Sequence, residues 1–148
     1  MIAKIKATTI VIMLSLLLFG CSTNIKKVKI PLDFNCPAQI VLKGESYTGA
    51  ITRQIDGQTD FIVTTPSELS GWAVTMKGRD VTTTFKGITW QGNSPMQRSL
   101  DHAIVILNQI AGKEFEKNKE GNVEHFDNGI KCTVKMTGEK IENITITQ

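Results

Sequence analysis

The sequence predicts an α+β fold, in which a curved antiparallel sheet (an incomplete barrel) packs around one main helix near residues 95–111. Two observations support this prediction. Several stretches alternate apolar and polar residues with the period of a strand that has one buried face, whereas a single long stretch shows the 3.6-residue period of an amphipathic helix. Glycine-containing turns separate the alternating stretches, so neighbouring strands are expected to pair as hairpins. One buried helix among many such strands is typical of the α+β class.

The chain begins with a positively charged segment and a short apolar run. Lys4 and Lys6 precede an apolar stretch at residues 7–19. This stretch is shorter than the about 20 residues of a transmembrane helix and falls within the about 7–15 residues of a signal-peptide core. It ends in the sequence LLFGC at Cys21. This ending resembles the bacterial lipobox, in which an apolar position, two loosely specified residues and a small residue precede the acceptor cysteine.

The resemblance implies that residues 1–20 are a lipoprotein signal peptide and that Cys21 becomes the lipidated first residue of the mature chain. Two or more acyl chains, such as palmitate, anchor a protein stably without spanning the bilayer. We therefore expect a chain that is lipid-anchored in the cell envelope, on the extracytoplasmic face of the membrane. Residues 21–31 are interpreted as the lipidated cysteine and a tether, and residues 32–148 as a single domain.

The charge of the mature chain argues against nucleic acid as a partner. The full sequence has 17 Lys and Arg against 14 Asp and Glu, and the loss of Lys4 and Lys6 with the leader leaves 15 bases. A nearly neutral domain lacks the electrostatic footprint of a nucleic-acid-binding protein. Lys26, Lys27 and Lys29 follow the cysteine. We favour a solvated tether for them over contacts with anionic headgroups.

The first predicted hairpin lies within residues 46–66. Asp56 and Gly57 form a turn dipeptide between two β-rich runs. Pro66 then ends the second strand, because it has no N–H to donate to a ladder. Two further alternating runs follow, separated by a turn at residues 78–80. The residues expected on their buried face are Trp72, Val74 and Met76, then Val81, Thr83 and Phe85.

The helix is bounded by capping signals. Ser94 is the predicted N-cap, Pro95 the first helical residue and Gln97 the N3 partner of a capping box. Gly112 is the expected C′ stop. Between them runs a broad apolar stripe, widened by Ile106: Met96, Leu100, Ala103, Ile104, Leu107, Ile110 and Ala111. Burial of about six such side chains, at ~1.5–3 kcal/mol each, would dominate the stability of the domain.

The C-terminal region predicts a closing hairpin. Ile130, Cys132, Val134 and Met136 alternate with polar residues. A turn at residues 138–139 leads to a last strand with Ile144 and Ile146 on one face.

The order of these strands and turns resembles the periplasmic lipoprotein-carrier superfamily of Lol type, over residues 34–148. The matching positions are Tyr47, Gly49, Gly57, Phe61, Val63, Pro66, Leu69, Trp72, Val74, Gly78, Val81 and Phe85. The resemblance implies an incomplete barrel with an apolar concavity for acyl chains or lipidated peptides. An open sheet covered by one helix also permits an apolar cleft at its mouth. The candidate ligand-binding residues are Trp72, Val74, Met76, Phe85, Trp90, Leu100, Ile104 and Leu107; alternatively, they pack against one another as core.

Signals of catalysis or of a cofactor are weak. The sequence has no G-x-S-x-G, H-E-x-x-H or glycine-rich phosphate loop, so we expect neither an enzyme nor a cofactor. His102 is expected on the polar side of the helix. Glu124, His125 and Asp127 offer metal ligands, but Glu124 and His125 are adjacent on a predicted strand and should point to opposite faces. We therefore expect no metal site.

Cys36 and Cys132 remain after the predicted lipidation of Cys21. In an exported domain two cysteines favour a disulfide, whereas an inward-facing Cys132 would be a buried free thiol. The sequence leaves both alternatives open.

Two functions therefore compete. In the first, a membrane-anchored envelope lipoprotein binds a hydrophobic ligand, an acyl chain or lipopeptide, in the concave face of a half-barrel. In the second, a non-enzymatic interaction or structural lipoprotein with a filled core contacts an envelope protein. An internal apolar cavity would favour the first, and a filled core with an exposed apolar patch would favour the second.

Overall fold

The computed structural model describes residues 26–91 and 95–148. The predicted signal peptide, the predicted lipidation site Cys21 and the first part of the predicted tether lie outside these residues, as does the predicted N-cap Ser94. Within the described part of the chain, no helix is long and apolar enough to cross a membrane.

The described chain consists mostly of β-strands, with one α-helix and one short 3₁₀ turn at Ser67–Leu69. The strands before the helix are β1 (Lys27–Lys29), β2 (Phe34–Leu42), β3 (Glu45–Arg53), β4 (Thr59–Thr65), β5 (Ala73–Lys77), β6 (Asp80–Phe85) and β7 (Ile88–Gln91). The helix is α1 (Pro95–Ile110), and it is followed by β8 (Glu114–Glu116), β9 (Val123–Asp127), β10 (Ile130–Thr137) and β11 (Lys140–Thr147). This composition confirms the predicted α+β class.

Nine strands form one mixed sheet in the order β7-β6-β5-β4-β3-β2-β11-β10-β9. The prediction of a purely antiparallel sheet was wrong, because β2 and β11 pair in parallel, with Ala38 opposite Ile144 and Ile40 opposite Ile146. These two strands begin and end the described part of the sheet in chain order. They join an antiparallel meander, β2–β7, to a second one, β9–β11. The sheet does not close into a barrel, since β7 and β9 are its two edges.

The predicted hairpins are confirmed. β3 and β4 pair antiparallel across a turn in which Gly57 has a φ of 90°, and β4 ends at Thr65, directly before Pro66. β5 and β6 form the next predicted pair. In β10 the buried and less buried residues alternate along the whole strand, and β11 buries Ile144 and Ile146 as expected.

Gly49 is required by the close approach of β4 to β3. The register shifts between Thr48 and Gly49. A Cβ atom added to Gly49 would lie 2.0 Å from the carbonyl oxygen of Ile62, so no other residue fits without moving the backbone.

The helix α1 supplies one side of the core. The predicted stripe is confirmed for Leu100, Ala103, Ile104, Leu107 and Ile110, which have no exposed surface, and for Ile106, which is also buried. Ala111 follows the helix and is half-buried, and the side chain of Met96 lies outside the described residues. Gly112 follows the helix with a φ of 77°, as predicted for a C′ residue. These side chains pack in one cluster with the inward face of the sheet.

The folded domain begins earlier than predicted. Residues 21–31 were expected to be a tether, but β1 pairs antiparallel with β8 in a two-stranded ribbon. Ile30 has no exposed surface. Its backbone donates to Lys113 O and accepts from Gly112 N, both at 2.9 Å. The physical reason is that this short segment gains apolar burial and ladder hydrogen bonds, which its lysine-rich composition conceals.

Candidate functional site

Six of the eight predicted ligand-binding residues are core residues. At most 4 % of the surface of each of them is exposed: Trp72, Val74, Met76, Leu100, Ile104 and Leu107. They belong to one cluster of buried side chains. Trp72 packs edge-to-face on Tyr47, with ring centroids 6.2 Å apart. These six side chains therefore contact one another and their neighbours, as in the alternative in which they form core.

The other two predicted residues lie at the edge of the sheet. Phe85 on β6 is half-buried, and Trp90 on β7 is 39 % exposed. Trp90 lies opposite the buried Thr83 and Ile88 opposite Phe85, so all of them face the core side of the sheet. Ile88 is 67 % exposed. Phe85, Ile88 and Trp90 form an exposed apolar surface, which we call the edge patch.

The edge patch borders an unpaired strand. Within the described sheet, β7 pairs only with β6, so one row of its backbone N–H and C=O groups has no neighbouring strand. The four residues of β7, ITWQ, are all exposed and uncharged. Proteins usually protect such edges with charges or proline, because an exposed edge is a template for pairing with another chain. The ammonium of Lys86 lies 5.1 Å from the ring centroid of Phe85, at the margin of the patch.

A basic groove of about 620 Å³ lies beside the β1–β8 ribbon. Its lining consists of Lys26, Lys27, Val28, Lys29, Pro31, Lys117, Gly138 and Glu139. Four of these eight residues are lysines, and one is acidic. No sequence pattern predicted this groove, because the β10–β11 turn that forms part of it is far from β1 along the chain.

A smaller cleft of about 380 Å³ separates α1 from the β9–β10 hairpin and is lined by His102, Val105, Gln109, Asp127, Asn128 and Ile130. Gln109 Nε2 donates to Asp127 Oδ2 at 2.8 Å, and Gln109 Oε1 lies 3.3 Å from His125 Nε2. His102 is exposed, as predicted. These bonds hold the helix against the edge strand β9, and a structural role accounts for them.

Glu124 and His125 face opposite sides of the sheet, as predicted. His125 lies opposite the buried Cys132, whereas the Glu124 carboxylate pairs with Lys131 Nζ at 2.9 Å. The two side chains therefore do not converge on one metal ion.

The two cysteines are buried free thiols. Cys36 lies on β2 and Cys132 on β10, with β11 between these strands. The sequence left open a disulfide or a buried free thiol, and in the structure Cys36 and Cys132 are not bonded to each other. Burial raises the pKa of the Cys36 thiol to about 11 and that of the Cys132 thiol to about 12. Both thiols are protonated and unreactive at neutral pH.

Arg53 is a buried residue that the sequence analysis missed. It is 8 % exposed. Its guanidinium donates to the carbonyl oxygen of Leu32, to Gln54 O at 3.3 Å and to Asn108 Oδ1 at 3.2 Å. Arg53 thus links β3 to the segment before β2 and to α1. Arg53 is two residues after the buried Ile51 on β3, so the alternation of the strand places both side chains on the inward face. This alternation is the signal that could have identified it.

Comparisons of the chain with protein-family models, with curated proteins and with solved structures found no match.

Proposed function

We propose that this chain is a lipid-anchored domain of the bacterial cell envelope with a non-enzymatic function: it binds another envelope protein through the edge patch. One observation supports this choice over an acyl-chain carrier. The residues predicted to line a ligand cleft are mostly buried in the core, whereas Ile88 and Trp90 expose apolar surface beside an unpaired strand. A filled core with an exposed apolar patch is the arrangement expected of an interaction domain.

We also propose that the sheet curves into an incomplete barrel, as the sequence predicts. Across the sheet, eight neighbouring strands, in the spatial order β6-β5-β4-β3-β2-β11-β10-β9, bury inward-facing residues such as Thr83 and Val123. A flat sheet of eight strands is about 34 Å wide, whereas a helix is only about 10–12 Å across. One helix covers such a breadth only if the sheet curves around it. The edge patch would then lie on one lip of the incomplete barrel.

The unpaired edge of β7 favours a protein over a lipid as the partner. A partner strand can bond to the free N–H and C=O groups of β7 while its side chains cover Ile88 and Trp90. An acyl chain covers apolar surface but leaves these polar groups unbonded. A hydrophobic ligand would therefore contact the apolar side chains of the edge patch but would leave the free backbone groups of β7 without hydrogen bonds.

The anchor is tested with the full-length chain in a bacterial host that processes lipoproteins, grown with alkyne-labelled palmitate. We expect label in the membrane fraction and a mature chain that starts at residue 21. Cys21→Ser should abolish both, while Cys36→Ser, the control, should retain them. Label that persists in Cys21→Ser, or an intact leader in the wild type, would contradict the anchor.

The binding surface is tested by photo-crosslinking in cells that naturally produce this chain. A benzophenone amino acid replaces Ile88 in one variant and Ile55 in the control. Ile55 is 75 % exposed and lies in the β3–β4 turn, outside the edge patch. We expect a discrete protein adduct from position 88 and none from position 55. An adduct with the mass of a lipid at position 88 would favour the hydrophobic-ligand alternative instead, and equal adducts at both positions would refute a specific surface.

A further inference from the structure

The basic groove runs beside a second unpaired strand edge, that of β1. Hydrogen bonds join Lys117 N to Lys26 O at 3.2 Å and Ile30 N to Lys113 O at 2.9 Å. In an antiparallel ladder only every second residue bonds to the partner strand. Lys26, Val28 and Ile30 therefore direct their backbone groups toward β8. By the same alternation, Lys27 and Lys29 direct their N–H and C=O groups away from it.

The groove adjoins β1 and also reaches Lys117, which directly follows β8. It is lined by every residue of β1 but by none of Glu114–Glu116, the residues of β8. Gly138 and Glu139, in the β10–β11 turn, form part of the lining. Among the described residues, β1 pairs with no strand other than β8. An extended peptide of about four residues, at ~3.3 Å per residue, could therefore lie in the groove and pair with β1.

The charges of the ribbon leave one positive site uncompensated. Lys27 lies opposite Glu116, and Lys29 lies opposite Glu114. The same register and the bond between Lys117 N and Lys26 O place these two lysines opposite each other. Like charges directly opposite each other are destabilising. No ion pair within residues 26–91 and 95–148 involves either lysine, and both line the groove. An anionic group bound there would relieve the repulsion.

From these two features we propose that the basic groove binds an extended acidic segment of a partner protein as a third strand of the ribbon, with a carboxylate between Lys26 and Lys117. The backbone of the segment bonds to Lys27 and Lys29. Headgroups of anionic lipids would supply the charge but have no backbone to pair with this edge, so a peptide uses both features. The groove is separate from the edge patch, and this binding does not depend on the function proposed above.

The test uses the full-length chain, purified in a non-ionic detergent, and a fluorescein-labelled hexapeptide of alternating Glu and Val, followed by fluorescence anisotropy. We expect binding that weakens with added salt. N-methylation of the three alternate amides that would face β1 removes the hydrogen bonds without changing the charge. It should weaken binding about tenfold or more, because the hydrogen bonds from the segment to the backbone of Lys27 and Lys29 are lost. N-methylation of the other three amides is the matched control and should have little effect.

Variants of the protein test the charge. Lys26→Gln/Lys117→Gln should weaken peptide binding about fivefold, because it removes the two positive charges that face the carboxylate, and charge contacts near the surface are individually weak. The control Lys43→Gln/Arg79→Gln removes two exposed charges that do not line the groove, and it should bind normally. The proposal is overturned if both N-methylated peptides bind like the parent. It is also overturned if phosphatidylglycerol in the micelles displaces the peptide while neutral lipid does not, which would assign the groove to anionic membrane lipid.

Discussion

At the scale of single residues, Thr83 on β6 combines complete burial with an unpaired hydroxyl. It has no exposed surface, and its Oγ1 has no hydrogen-bond partner among the described residues. A buried polar group without a partner costs about 1–3 kcal/mol. Its neighbour Thr84 differs. Thr84 and Thr89 lie opposite each other on the outer face of the sheet, and their hydroxyl oxygens are 3.0 Å apart.

We predict that Thr83→Val stabilises the protein by about 1 kcal/mol, since valine keeps the branched shape and removes the unpaired hydroxyl. Equilibrium urea unfolding followed by circular dichroism measures this change. Thr84→Val is the matched control and should give no gain, because it removes a paired hydroxyl. A loss of stability in Thr83→Val would mean that the hydroxyl does have a partner.

The two buried thiols predict a loss of stability at alkaline pH. Burial raises the pKa of Cys36 to about 11 and that of Cys132 to about 12, from an ordinary 9.0. Above pH 9 the unfolded chain therefore loses thiol protons that the folded chain retains. The free energy of unfolding should be independent of these thiols below about pH 8 and should fall above pH 9. The slope is up to ~1.4 kcal/mol per pH unit for each thiol, until the folded pKa is reached.

Urea unfolding between pH 7 and pH 10 measures this slope. Cys36→Val/Cys132→Val is the comparison, and most of the decrease between pH 9 and pH 10 should disappear in this variant. Burial, together with the Glu45 carboxylate, raises the pKa of Tyr47 to about 12. Tyr47 should therefore add its own decrease only above about pH 10, the ordinary tyrosine value. An identical slope in the wild type and the variant would contradict the role of the thiols.

At the scale of elements, the β1–β8 ribbon places residues 27–29 in the folded domain, which was expected to begin at residue 32. Ile30 has no exposed surface, whereas Leu32, two residues later, is 46 % exposed. We predict that Ile30→Ala costs about 2–4 kcal/mol of unfolding free energy, the usual cost of truncating a buried isoleucine. Leu32→Ala should cost much less, since half of this side chain already contacts water. Thermal and urea unfolding of the two variants measure the difference, and equal costs would mean that the ribbon is not part of the cooperative core.

Local patterns predicted most elements correctly, and the exceptions have a common cause. The alternation in β10, the turn at Gly57 and the stripe of α1 are signals within about ten to sixteen consecutive residues. The parallel pairing of Ile144 with Ala38 joins strands more than a hundred residues apart, and no local pattern encodes such a contact. β1 escaped prediction because Lys27 and Lys29 flank its one inward residue, Val28.

The candidate sites were less predictable than the elements. Alternation indicates which side chains face inward, and for Val74 and Met76 it did so correctly. It does not indicate whether an inward face holds a ligand or is filled by neighbours, because that depends on how α1 packs against the sheet. The basic groove depends on Gly138 and Glu139 lying beside β1, which is again a non-local contact.

At the scale of the whole molecule, two meanders share one core. Within the described sheet, strands β2–β7 are hydrogen-bonded to strands β9–β11 only through the parallel pairing of β2 with β11. Buried residues of both meanders nevertheless form a single cluster with α1. Separate domains would have separate cores. A shared core means that neither meander can unfold without exposing apolar surface of the other.

We therefore predict that both meanders unfold in one transition. Trp72 reports on the first meander, and the thiol of Cys132 reports on the second; both are buried. In a Cys21→Ser/Cys36→Ala/Trp90→Phe background, Cys132 and Trp72 are the single thiol and the single tryptophan. Tryptophan fluorescence and pulse labelling of the thiol should then give the same urea midpoint, as two-state unfolding requires. Ile146→Ala, at the seam between β11 and β2, should lower both midpoints equally, by an amount that corresponds to about 2–5 kcal/mol. Labelling of Cys132 at a lower urea concentration than the fluorescence change would instead identify β9–β11 as a separate unfolding unit. In that case the parallel seam, and not the shared core, would be the only connection between the two halves.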